Sequence, residues 1–132
     1  MDANQQRSLQ SSIELVKADI TYLTVQTRTA ASDLYTKQAM GSGDIMGSWA
    51  TFINLFYQLY SMFKYNADQI GRITDWPEKK KIYDGFFKDV MDGRLCPKRG
   101  LMLFDYMFED LVKGGVYNLT ADEFRGKGDH VG

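Results

Sequence analysis

The chain has 132 residues, a length that suits one domain around one core. Sixteen basic residues stand against seventeen acidic ones, so no bulk charge recruits nucleic acid or an anionic membrane, and such binding needs a local patch. The single cysteine, Cys96, excludes an intramolecular disulfide and fits a reducing, cytoplasmic setting.

The first residues, MDANQQRSLQSS, are polar and lack the apolar centre of a signal peptide. Residues 5–38 read as one long helix. Leu9, Ile13, Val16, Ile20, Leu23, Thr27, Ala30 and Leu34 alternate in steps of four and three, a heptad seam. The stretch is rich in threonine, which is β-branched and stiff, so packing rather than propensity must hold it. Glu14–Lys17 and Asp33–Lys37 are expected ion pairs along it. A second row, Leu15, Tyr22 and Val25, lies off the seam and is the candidate partner-binding face.

Met40 to Gly47 carries three glycines and breaks the helix. Asp44 or Ser48 is the expected cap of the next one. That helix, 45–70, begins with the longest uncharged span, Ile45 to Phe63. Its apolar seam runs through 45, 49, 52, 56, 59, 63, 67 and 70. The span is long enough to cross a bilayer, but Thr51, Asn54, Gln58 and Ser61 make a polar stripe along one side. A helix with one edge in water is therefore expected, and no membrane association. The short break makes the two helices an antiparallel hairpin. Residue numbers of facing positions then keep a constant sum, which pairs Leu34 with Phe52, Ala30 with Phe56, Thr27 with Leu59, Leu23 with Phe63 and Val16 with Ile70.

Gly71 to Trp76 is the second break. Asp75 and Glu78 match a capping box, with Pro77 early in the new helix. That helix covers about 76–91, with Ile82, Phe86 and Val90 expected inward and Tyr83 and Phe87 beside them. Asp92-Gly93 ends it. A fourth helix covers about 97–113, with Leu101, Phe104, Phe108, Leu111 and Val112 inward. Gly114-Gly115 stops it, a short helical turn follows near Thr120, and 126–132 read as a disordered tail. The expected fold is all-α: an irregular four-helix bundle on a long hairpin, with 1–125 as one domain.

Catalytic and metal motifs are missing from the sequence. The one histidine, His130, lies in the tail, so neither a Glu-x-x-His pair nor a His and Cys zinc set can be assembled. Nucleophilic triads fail on the same count, and no Gly-rich phosphate loop is present. Cys96, just before Pro97 at a helix start, reads as structural, with thiol reactivity as the sharper alternative. Asp105, Glu109 and Asp110 read as a solvated acidic face. No cofactor and no catalytic residue is expected, although a carboxylate-only enzyme remains a third reading.

One electrostatic feature stands out. Lys79, Lys80 and Lys81 occupy the first turns of the third helix, and Arg94, Lys98 and Arg99 surround the start of the fourth. Cations there oppose the helix dipole, while helix N-termini flanked by cations also suit phosphate. The six form a candidate anion or nucleic-acid site, with an ordinary Lys80–Asp84 pair as its bland counterpart. The sequence thus points to a non-enzymatic protein–protein interaction protein, a small subunit, adaptor or inhibitor that docks on a protein partner or forms a homo-oligomer. The alternative is a nucleic-acid-associated helical protein using the basic helix starts.

Overall fold

A computed structural model describes residues 2–41, 43–70 and 73–113, with side chains for all of these except 9, 10, 12–17, 66, 69, 70, 112 and 113. Four helices make up this part: α1 (Ala3–Met40), α2 (Ile45–Ile70), α3 (Trp76–Met91) and α4 (Pro97–Lys113). The expected all-α bundle is present. The expected turn near Thr120, the glycine stop at 114–115 and the tail lie outside the described residues.

Helix α1 begins earlier than expected because Asp2 caps it. The Asp2 carboxylate accepts from the Gln5 N–H at 2.7 Å, and the Gln5 side chain accepts from the Asp2 N–H at 3.0 Å. This reciprocal pair satisfies two of the orphan donors at a helix start. At the other end Gly41 takes the left-handed conformation, φ 65°, and its N–H returns to the Gln38 and Lys37 carbonyls. The threonines buried on α1 also find partners. Thr24 and Thr27 are buried, and their hydroxyls donate to the Ile20 and Leu23 carbonyls, each at 2.6 Å. A polar β-branched residue can therefore occupy a core position without an unsatisfied group.

Helices α1 and α2 form the hairpin and are the most extensively packed pair. On α2, residues 49, 52, 56, 59, 63 and 67 are buried, while Thr51, Asn54, Gln58 and Ser61 all face solvent. The polar stripe is thus real, and no described helix is long and apolar enough to cross a membrane. The register differs from expectation at the loop end. Lys37 pairs with Asp44 at 3.3 Å and Asp33 accepts from Ser48 at 2.5 Å, where the constant sum would put Trp49 and Ile53 opposite them. The offset is five residues, about 7 Å along the axis. A heptad seam nearly repeats at each turn, so apolar faces still meet after such a slip and the pattern alone does not choose between registers. The Val16–Ile70 pairing lies outside the described side chains. Ser48 does not cap α2; it sits inside the helix and ties it to α1.

Helix α2 touches all three others. Phe56 lies 5.4 Å from Phe52, 6.1 Å from Phe86, 5.0 Å from Phe87 and 5.7 Å from Phe104, centroid to centroid. Phe63 packs edge-on against Trp76 at 5.3 Å. Two inward faces are rotated from expectation. On α3, Trp76, Tyr83, Phe86 and Phe87 are buried and Ile82 is half exposed. On α4, Leu103 and Met107 join Phe104 and Leu111 in the core, while Leu101 and Phe108 sit at its edge. Aromatic rings on α3 reach the α2 rings from one side of the helix, which turns Ile82 outward.

The start of α3 also departs from expectation. Asp75 has φ 55° and makes no side-chain cap, so no capping box with Glu78 forms. The left-handed backbone swings the carboxylate away from the first N–H groups. The turn is held instead by Asp68, whose carboxylate accepts from the Trp76 indole at 2.7 Å and from Lys80 at 3.2 Å.

Gly100 lets α4 approach the ring cluster. A Cβ there would stand 3.1 Å from Phe86 Cζ and 3.3 Å from both Phe52 Cε2 and Trp49 Cζ3. These are below the ordinary carbon–carbon contact distance. Gly100→Val is expected to cost about 1–3 kcal/mol by overpacking, despite the better helix propensity, as read from urea unfolding.

Candidate functional site

The six cations at the starts of α3 and α4 do not form a free patch. Lys79 reaches Asp110 on α4 at 3.1 Å. Lys80 reaches Asp68 on α2 at 3.2 Å. Arg99 and Arg94 share Asp89 near the end of α3, at 3.0 and 3.5 Å. Lys81 and Lys98 are exposed and have no ion pair among the described residues. Four of the six charges are therefore matched by carboxylates before any phosphate arrives. The expected Lys80–Asp84 pair is replaced by Lys80–Asp68, because α2 presents Asp68 to Lys80 and, one and two turns earlier, Lys64 and Tyr60 to Asp84. The Tyr60 hydroxyl donates to it at 2.7 Å and the Lys64 ammonium at 3.1 Å.

The outer face of α1 is open. Tyr22 is 64% exposed and Val25 55% exposed, three positions apart on one side of the helix. Val25 continues into a shallow depression with Arg28, Thr29 and Ser32. Their neighbours Ile20, Thr24 and Thr27 are buried, so the boundary between core and open face is sharp. Leu15, the third member of the expected row, lies outside the described side chains.

A third feature was not foreseen. Between α3 and α4 lies a cleft of about 320 Å³ lined by Lys79, Ile82, Tyr83, Leu103, Tyr106, Glu109 and Asp110. It exists because Ile82 and Tyr106 are turned out of the core, each about half exposed, over a floor of Tyr83 and Leu103. A residual signal was present in the sequence. Once the rings at 83, 86 and 87 are taken as the buried stripe of α3, Ile82 has no place in it.

Among the described residues no group of three or more His, Cys, Asp or Glu side chains could hold a metal ion. His130 lies outside them. Asp110 is tied to Lys79, so the suggested acidic face is not uniformly solvated. Cys96 is half-buried against the core, and its carbonyl accepts from the Gly100 N–H at 2.9 Å.

Tyr60 and Asp84, joined between α2 and α3, are among the titrating groups that respond to their surroundings. Burial pushes the Asp84 carboxyl up, but the Tyr60 hydroxyl and the Lys64 and Lys80 ammoniums outweigh it and leave it below its ordinary value. Burial, together with the Asp84 hydrogen bond, holds the Tyr60 hydroxyl well above the ordinary tyrosine range. A raised tyrosine contributes stability that is fully present below its unfolded pKa, about 10, and is lost as pH rises past it. Thermal unfolding between about pH 8 and pH 11 is therefore expected to show a loss of stability that is smaller in Tyr60→Phe, although that variant is less stable at neutral pH.

No protein-family model, no curated protein and no solved structure matches this chain.

Proposed function

We propose that the chain is a non-enzymatic helical interaction protein: a small subunit, adaptor or inhibitor that docks the outer face of α1 on a protein partner or on a second copy. The observation that carries this reading is the pair Tyr22 and Val25. Both are more than half exposed on a helix whose neighbouring Ile20, Thr24 and Thr27 are buried. Tyrosine contributes large contact area at low entropic cost, which is why it is enriched where proteins meet. The ion-pairing of Lys79, Lys80, Arg94 and Arg99 favours this reading over nucleic-acid binding, since a phosphate would have to displace a carboxylate held at 3.0–3.5 Å. A reducing, cytoplasmic setting suits a chain with one cysteine.

Light scattering and co-purification on the full chain test the proposal. The wild type is expected in a complex or oligomer, and the double variant Tyr22→Asp, Val25→Asp is expected to stay folded and lose it. Exposed substitutions of this kind usually change stability by only about 0.5 kcal/mol. A wild-type monomer without partner, or a double variant that assembles as well as the wild type, refutes docking through α1. Binding to duplex or single-stranded nucleic acid that weakens steeply with salt would favour the alternative instead.

A further inference from the structure

The cleft between α3 and α4 has no part in docking through α1, yet it holds a polar group without a hydrogen-bond partner among the described residues. Tyr83 is 2% exposed and lies on the cleft floor. Its ring contacts Tyr60 at 5.2 Å. The Tyr60 hydroxyl is satisfied by Asp84, but the Tyr83 hydroxyl has no hydrogen-bond partner among the described residues. It is not sealed in either: no described side-chain nitrogen or oxygen is both fully enclosed and unpaired. The remaining accessible surface of Tyr83 therefore opens into the cleft. A nearly buried hydroxyl that lines a cleft and has no partner among the described residues is what a ligand-binding group looks like when nothing is bound.

The other lining groups set the ligand's chemistry. Ile82, Leu103 and Tyr106 supply apolar and aromatic walls. Asp110 stands beside Tyr83 and uses one oxygen on Lys79, at 3.1 Å. A carboxylate offers about four acceptor sites, so Asp110 keeps capacity for another donor. Glu109 adds a second carboxylate at the rim. Two carboxylates against one ammonium leave the cleft one negative charge in excess. The volume, about 320 Å³, is at the small end of ligand sites, the size for a single ring. We propose that the α3–α4 cleft binds a small aromatic amine, its ring against Ile82, Leu103 and Tyr106 and its ammonium donating to the Tyr83 hydroxyl and the Asp110 and Glu109 carboxylates.

Amide chemical shifts of the full chain, followed during titration with phenethylamine, test this. Saturable shifts are expected, grouped at residues 79–83 and 103–110. Phenylacetate has the same ring and the opposite charge, and is expected to bind at least about tenfold more weakly. Tyr83→Phe removes a hydroxyl with no partner among the described residues, so its amide spectrum should show an intact fold, and its affinity for phenethylamine should fall about fivefold. Should that variant fail to fold, Glu109→Gln at the rim carries the same test, with an expected loss of about threefold. The Tyr22→Asp, Val25→Asp variant should bind the amine as the wild type does, which separates this site from the docking face. The proposal is overturned by shifts that are absent or scattered up to about 20 mM amine, by phenylacetate binding as well as phenethylamine, or by unchanged affinity in the folded Tyr83→Phe or Glu109→Gln protein.

Discussion

The structure depends on Phe56. It is fully buried, and its ring contacts rings from α2 itself, from α3 and from α4 within 6.1 Å. Most of these contacts are edge-on or tilted, the arrangements that the ring quadrupole favours, and each adds about 0.5–1.5 kcal/mol beyond area burial. Small residues on α1 cover the opposite side: Thr27, Ala30 and Ala31 are buried where large ones would not fit beside the α2 rings. One helix therefore serves as the axis, packed against small residues of α1 and against aromatic rings of α3 and α4. Gly100 belongs to the same constraint, since α4 can approach only where it has no side chain.

Polar contacts then hold the helices in place around that axis. Asp33 and Ser48, with Lys37 and Asp44, close the mouth of the hairpin. Asp68 joins the end of α2 to Trp76 and Lys80 on α3. Asp84 joins α3 back to Tyr60 and Lys64 on α2. Lys79–Asp110 and Arg99–Asp89 span α3 and α4. The cations at the helix starts, unfavourable beside the dipole, are explained by these cross-helix carboxylates. Exposed pairs of this kind add only about 0–1 kcal/mol each, so their main effect is on geometry rather than stability. Their consequence for function is larger, because they neutralise the charge that a phosphate would need.

Two groups of outward residues, on different helices, carry the functional readings. Tyr22 and Val25 stand on an open helix face, suited to another protein surface. Ile82 and Tyr106 flank a concave site with a buried hydroxyl beneath it. The difference is concavity: a convex helix face can contact only a complementary surface, whereas a cleft with a polar floor can enclose a small molecule.

The sequence by itself determined the helices and the axis. Periodicity located α2, α3 and α4 to the residue, because a seam bounded by glycine or proline leaves little freedom in the ends. It also foresaw the solvated stripe at 51, 54, 58 and 61, since polar residues at helical spacing must share a face. The candidate site was less legible. Tyr22 and Val25 were found as residues left outside the seam, but the cleft was missed, since a space between two helices depends on how each is rotated. Tertiary packing alone decided that rotation, turning Ile82 out and Leu103 and Met107 in. Packing also chose the hairpin register, because a seam that repeats in steps of three and four offers its partner more than one alignment. And it alone decided which carboxylate each lysine meets: Lys80 could reach Asp84 along its own helix, but the fold brings Asp68 of α2 to Lys80, and Tyr60 and Lys64 of α2 to Asp84.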